Sequence, residues 1–339
     1  MGAQFWSVYI PGDYRDSGYA RVQLEQIDIA RNVIQLYPDV FELARTADDV
    51  LRIQRAGKIA SLLGMEGGHA IENSLGTLRT YRELGAAYMT LTHDVTLDWA
   101  DAGRDSARHG GLTMFGREVV REMNRLGMLV DLSHASDATM SDALDVTAAP
   151  VIFSHSSARA LTNVPRNVPD SILRRVRVNG GVVMITFVPG FVSQEVADHT
   201  SRRNALRLAL VGRFPSDKAA REQAEAEWSS ANPVPRATLG QVADHIEHIR
   251  RIAGIEHVGI GGDFDGITSV PIGLEDVSTY PALIAELARR GWTESELRML
   301  AAENVLRVMR QAERVATRLQ GERGPSHRTI EELDGSPAP

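Results

Sequence analysis

Ala60-Ser-Leu-Leu-Gly-Met-Glu66-Gly-Gly-His69 decides the fold: an uncharged run ends in a glutamate, and two glycines follow it. A short apolar run closed by glycine reads as a strand buried on both faces, the kind found in parallel sheets. Three other stretches repeat the design. They are Met128-Leu-Val-Asp-Leu-Ser-His134, Val151-Ile-Phe-Ser-His155 and Val258-Gly-Ile-Gly-Gly-Asp263-Phe-Asp265-Gly266. Buried strands that each deliver a Glu, His or Asp at the C-terminal end are how a (β/α) barrel assembles an active site.

Working outward, strand-like runs lie near residues 3–9, 58–65, 87–92, 127–133, 150–154, 181–187 and 256–262, with amphipathic helical stretches between them. That alternation implies an α/β fold with a parallel sheet, a (β/α)8 TIM barrel. Seven runs are found where eight are needed. Residues 195–236 break the rhythm with Ala, Arg and Glu and read as a helical insertion. Residues 1–320 form one barrel domain in this reading. The Gly-, Pro- and Ser-containing tail 321–339 is expected to be disordered. Thr293-Glu-Ser-Glu296 is a capping box that starts a C-terminal helix.

Bulk properties narrow the function. The 339 residues carry a net charge of −7, which speaks against a nucleic-acid surface. The Arg clusters (Arg174, Arg175 and Arg177; Arg202 and Arg203) fall on helical patterns and read as solvated faces. No cysteine is present, so a borderline-soft metal would have to use His, Asp and Glu. No apolar segment approaches the roughly 20 residues of a membrane span. The N-terminus has no signal-peptide pattern, so a cytoplasmic location is expected.

Glu66 closes a fully apolar strand, so it must be paired, protonated or metal-bound. His134 and His155 each follow a serine at the end of a strand. On neighbouring strands they would stand together with Glu66 as an open three-ligand metal site of the catalytic type. His69 reads as a supporting or structural residue. His93 ends Tyr88-Met-Thr-Leu-Thr-His93 and should also face the barrel mouth, as a donor to a substrate carbonyl, as a further ligand or as a core residue. Asp263 and Asp265 share a face if their strand continues, and not if it turns after Asp263. Asp263 suits a proton shuttle. Arg166, in Asn163-Val-Pro-Arg-Asn-Val-Pro169, suits capture of a carboxylate. Trp99-Ala-Asp101 would line the pocket wall.

These motifs together resemble the renal (membrane) dipeptidase family. The likeness rests on Glu66-Gly-Gly-His69, Leu91-Thr-His93, Asp131-Leu-Ser-His134, Val151-Ile-Phe-Ser-His-Ser-Ser157, Arg166-Asn-Val-Pro169 and Gly261-Gly-Asp-Phe-Asp-Gly266. Gln4-Phe-Trp-Ser-Val-Tyr9 and Gly273-Leu-Glu-Asp-Val-Ser278 with Tyr280-Pro281 extend it. The resemblance implies an amidohydrolase-type barrel with two zinc ions, acting on dipeptides through a metal-bridging hydroxide, with tolerance for a D-residue at the C-terminal position. It implies that Glu66 bridges the metals and that His134 and His155 ligate one of them. His93 would contact the substrate carbonyl, Arg166 would hold its carboxylate, and Asp263 would handle protons. It also implies a homodimer.

The family's other metal uses a His-x-Asp on a first strand upstream of the Gln-Phe-Trp-Ser segment. No His precedes His69 here. The uncounted strand and that half-site are therefore expected to be missing together, with dipeptidase activity weakened. Alternative readings are hydrolysis of N-acyl amino acids or lactams, and a degenerate barrel without catalysis.

Overall fold

The computed structural model describes residues 1–12 and 18–335. Its strands are β1 (Ala3–Ser7), β2 (Phe41–Leu43), β3 (Ile59–Met65), β4 (Ala86–Thr90), β5 (Leu129–Asp131), β6 (Ile152–Phe153), β7 (Val182–Ile185) and β8 (Val258–Ile260). All pairings are parallel, in the order β1-β3-β4-β5-β6-β7-β8. This is the α/β architecture the strand spacing predicts, a curled TIM-barrel-like sheet. Among the described residues β8 and β1 do not pair with each other, so the row curls without closing.

β2 escapes sequence reading because three residues are too few to show a period. It pairs with Ile59–Ser61 at the start of β3, while β4 pairs with Leu63–Met65 further along the same strand. The Ile59 N–H donates to the Val40 carbonyl and the Ala44 N–H to that of Ser61. β2 therefore adds a strand without closing the ring.

Alternation sorts the strand side chains into two faces. Leu62, Tyr88, Leu129, Ile152, Val182 and Met184 form one apolar cluster with Val308, Met309 and Ala312 of the helix Asn304–Glu322. Two residues further along β4, β5 and β6, the same face carries Thr90, Asp131 and Ser154; four residues beyond Leu62 it carries Glu66. The barrel interior is thus apolar at one end and polar at its C-terminal rim. Gly64 makes room for this packing, since a Cβ there would lie 2.2 Å from the Tyr88 ring.

The segment expected as an insertion folds as two helices, Gln194–Arg213 and Lys218–Ala231, and the second buries none of its residues. The tail corrects the sequence reading. Helix Asn304–Glu322 runs into it, and a further turn spans Ile330–Asp334. Ile330 is buried, and the Asp334 carboxylate accepts from the Met114 and Phe115 N–H groups at 2.9 and 3.1 Å. A buried apolar side chain and a helix cap outweigh the polar composition of this segment. Residues 336–339 lie outside the described residues. Among the described residues no helix is long and apolar enough to cross a membrane.

Candidate metal centre

Three acceptor atoms converge where β3, β5 and β6 end. Glu66 Oε1 lies 3.1 Å from His155 Nε2 and 3.3 Å from His134 Nε2, and the two nitrogens are 3.0 Å apart. These three side chains can hold a metal ion. The other ring nitrogens face hydrogen-bond acceptors: His134 Nδ1 is 3.2 Å from Asp94 Oδ1, and His155 Nδ1 is 2.8 Å from Ser154 Oγ. With Nδ1 carrying the proton in each ring, two lone pairs and a carboxylate oxygen point at one another. Such a group needs a cation or a proton between its members, so the donor set fits a metal.

Electrostatics agree. Burial alone would raise the Glu66 pKa, but the facing His134 and His155 rings overcome it and hold the carboxyl well below its usual range. Burial would likewise lower His155, yet the facing Glu66 carboxylate raises it. His134 is lowered, by burial first and then by the Arg166 charge. His134 also sits at φ +66° and Asp263 at φ +62°. A left-handed conformation costs a non-glycine residue about 1–2 kcal/mol, and such strain collects at functional sites.

The other expected site residues surround this centre. His93 Nε2 is 3.9 Å from Glu66 Oε1, and its ring lies 4.2 Å from that of His134. Burial and the neighbouring His134 push it down to about 4, so it is neutral near pH 7. Asp263 follows β8 in a turn, and burial raises its carboxyl. Asp265 is exposed, so the two acids do not share a face; the turn wins over a continued strand. Arg166 is buried, with weak contacts to the His155 carbonyl (3.3 Å) and Ser156 Oγ (3.4 Å) and its plane 5.3 Å over the Phe191 ring.

His69 stands apart from the cluster. It bonds to the Ile10 carbonyl at 3.0 Å behind Gly67, whose φ of +128° turns the chain out of β3. Trp99 is fully buried against Phe115, in the core rather than on an exposed wall. Asp101 accepts N–H bonds from Arg108, His109 and Gly111 and so shapes the loop behind the site.

Sequence reading missed three partners. The Ser7 hydroxyl donates to Glu66 Oε2 at 3.0 Å, Tyr9 packs on His93 with ring centroids 4.9 Å apart, and Asp94 bonds His134. The signal for Ser7 was available, since Ala3, Phe5 and Ser7 alternate onto one face of β1.

His245, from the helix Leu239–Ala253, supports the loop that carries Arg166. Its Nδ1 accepts the Ala158 N–H at 3.0 Å. Burial, with the nearby His248, pushes this imidazole down to about 4, and a proton on Nδ1 would moreover face the Ala158 N–H. The unfolded chain takes up that proton near pH 6.5, so the stability contribution is full above pH 6.5 and fades as pH falls toward 4. From pH 7 to pH 5 the loss from this group is about 2 kcal/mol. Denaturant unfolding at both pH values should show a shallower pH slope in His245→Asn, and an unchanged slope would refute the assignment.

The sequence matches the family "Membrane dipeptidase (Peptidase family M19)" over residues 1–323. It is 42% identical over 327 residues to Dipeptidase 3 of Rattus norvegicus, covering 95% of this chain and 58% of that protein. The chain therefore spans less than two thirds of that relative's length. It is 41% identical over 346 residues to dipeptidase verJ of Clonostachys rogersoniana, covering 98% of this chain and 79% of the other. Among solved structures, the probable dipeptidase PvdM of Pseudomonas aeruginosa superposes with a TM-score of 0.82 at 23% identity, covering 93% of this chain and 87% of the other. A Rhodobacter sphaeroides metallopeptidase, liganded with a phosphinate mimic of L-Ala-D-Ala, gives 0.73 at 23% identity, covering 91% and 86%.

Proposed function

Since this chain belongs to the membrane dipeptidase family, we propose that it hydrolyses dipeptides at the centre formed by Glu66, His134 and His155. The single observation that carries this reading is the convergence of their three acceptor atoms within 3.3 Å at the strand ends. The metal is zinc in this reading, because two imidazoles and a carboxylate without thiolates suit a borderline ion. When bound, zinc supplies Lewis-acid polarisation and activates water.

The chain's own residues divide the remaining work. Neutral His93 donates a hydrogen bond to the carbonyl oxygen as negative charge develops there. Arg166 pairs with the substrate's terminal carboxylate, which fixes the scissile bond over the centre. Asp263, raised by burial, accepts a proton from the attacking water and returns it to the departing amine. A D-residue at the C-terminal position is included in the proposed substrate range, and the working assembly is a homodimer.

The test measures zinc content by mass spectrometry and hydrolysis of L-Ala-L-Ala, L-Ala-D-Ala and N-acetyl-L-alanine. Turnover of the dipeptides that chelation removes and zinc restores is expected, with about one zinc per chain at the Glu66, His134 and His155 cluster. A zinc-loaded chain that cleaves only N-acetyl-L-alanine, or nothing, would overturn the dipeptidase reading.

A further inference from the structure

Asp131 is fully buried beneath the metal centre and takes no part in the mechanism above. Four donors converge on its carboxylate. Oδ1 accepts the N–H groups of Ser133 (3.1 Å) and Ser154 (2.8 Å). Oδ2 accepts the hydroxyls of Thr90 (2.6 Å) and Ser154 (2.6 Å). These partners come from β4, from the residues after β5 and from those after β6, so the carboxylate fixes three strand ends relative to one another.

The Ser154 hydroxyl has one proton, and the acceptor 2.6 Å away takes it. Its oxygen can then only accept from His155 Nδ1, which lies 2.8 Å away. That direction settles which nitrogen of His155 bears hydrogen. We propose that Asp131 and Ser154 form a positioning relay that holds His155 as its Nδ1–H tautomer, reserving the Nε2 lone pair for the metal. Without the relay the ring could place its hydrogen on Nε2, toward Glu66 Oε1 at 3.1 Å, and that hydrogen would occupy the cation's place. The Ser133 hydroxyl, accepting the His155 N–H at 3.1 Å, holds the backbone of the same residue.

His134 is served differently. Its Nδ1 partner Asp94 is half-exposed and pairs with Arg104 at 3.5 Å. The buried relay therefore belongs to His155 alone. This inference rests on the metal-centre reading and adds two residues that never touch metal or substrate.

The test uses the full chain as wild type, Ser154→Ala, Ser154→Thr and Asp131→Asn. Histidine 15N–1H spectra of the metal-free proteins report the His155 tautomer, and chelator competition reports zinc affinity. Wild type and Ser154→Thr should show the Nδ1–H form and equal affinity. Ser154→Ala should lose that form and bind zinc 10- to 100-fold more weakly, the usual effect of removing a ligand's supporting partner. Asp131→Asn should do the same if it folds; Ser154→Ala decides the matter if it does not. Thermal melts separate a purely structural loss, which would lower the melting temperature without changing tautomer or affinity. Ser154→Ala with the wild-type tautomer and zinc affinity within twofold would overturn the relay. Failure of the wild type itself to bind zinc would instead overturn the metal-centre reading.

Discussion

Glu66→Gln should leave the chain folded and strip it of both zinc and activity. The replacement keeps the side chain's shape, so Ser7 retains a partner and the end of β3 keeps its packing. What changes is charge and donor pattern. The carboxylate is the anion facing His134 and His155, and those two residues hold it ionised. An amide in its place offers either a neutral oxygen or an N–H group to the two Nε2 atoms. The oxygen orientation removes the negative charge that balances a divalent cation, and the N–H orientation points hydrogens at the position the cation needs. Loss of a partner one bond further out already costs 10- to 100-fold in metal affinity or activity, so loss of the shared carboxylate should exceed roughly 100-fold in both. Zinc per chain, dipeptide turnover and far-UV circular dichroism together check this. Retained zinc and turnover in Glu66→Gln would show that the carboxylate is a bystander and that the ion sits elsewhere.

The same residue marks where sequence reasoning works. Glu66, His134, His155 and Asp263 were legible because each ends an apolar run, and an ionisable group there has few ways to be satisfied. Strands β3 to β8 were legible for the related reason that buried parallel strands are short apolar blocks. β2 was not, since Phe41–Leu43 gains its identity from the hydrogen bonds of β3 rather than from any pattern of its own. Partners fixed by three-dimensional register were equally hidden. Ser7 meets Glu66 across 59 residues of sequence, and Asp131 gathers donors from two strands besides its own. Trp99 misled because an aromatic in a loop beside the mouth reads as pocket lining, whereas its size makes it the better core filler against Phe115. The tail misled through composition: one Ile and one Asp at the right spacing anchor it to the helix Met114–Leu126, and an average over the segment dilutes both.

Arg166→Met should give the opposite pair of outcomes, a more stable protein that binds its substrate poorly. The guanidinium is almost entirely buried, its Nε–H has no partner, and its remaining contacts are long. Among the described residues no acid lies within ion-pairing distance of it. Glu66, Asp94, Asp131 and Asp263 act on it only through space, and burial lowers its pKa to about 10. A buried charge without a close counter-ion is a cost to the fold, offset in part by the Phe191 ring beneath it. That cost makes sense if a carboxylate completes the pairing during catalysis, which is the stability–activity trade-off expected of a binding site. Methionine fills the space without the charge and should raise the melting temperature of the substrate-free protein by about 2 °C, corresponding to about 1 kcal/mol. Removing one partner of a buried, hydrogen-bonded charge pair costs about 2–5 kcal/mol, so KM for a dipeptide should rise by on the order of 100-fold or more. Because the carboxylate is held equally in ground and transition states, kcat should change far less. A dipeptide amide, which lacks the carboxylate, should be cleaved equally poorly by both proteins. If Arg166→Met instead lowered kcat and left KM intact, the guanidinium would be acting on the reacting carbonyl, and the assignment of the carboxylate to Arg166 would fall.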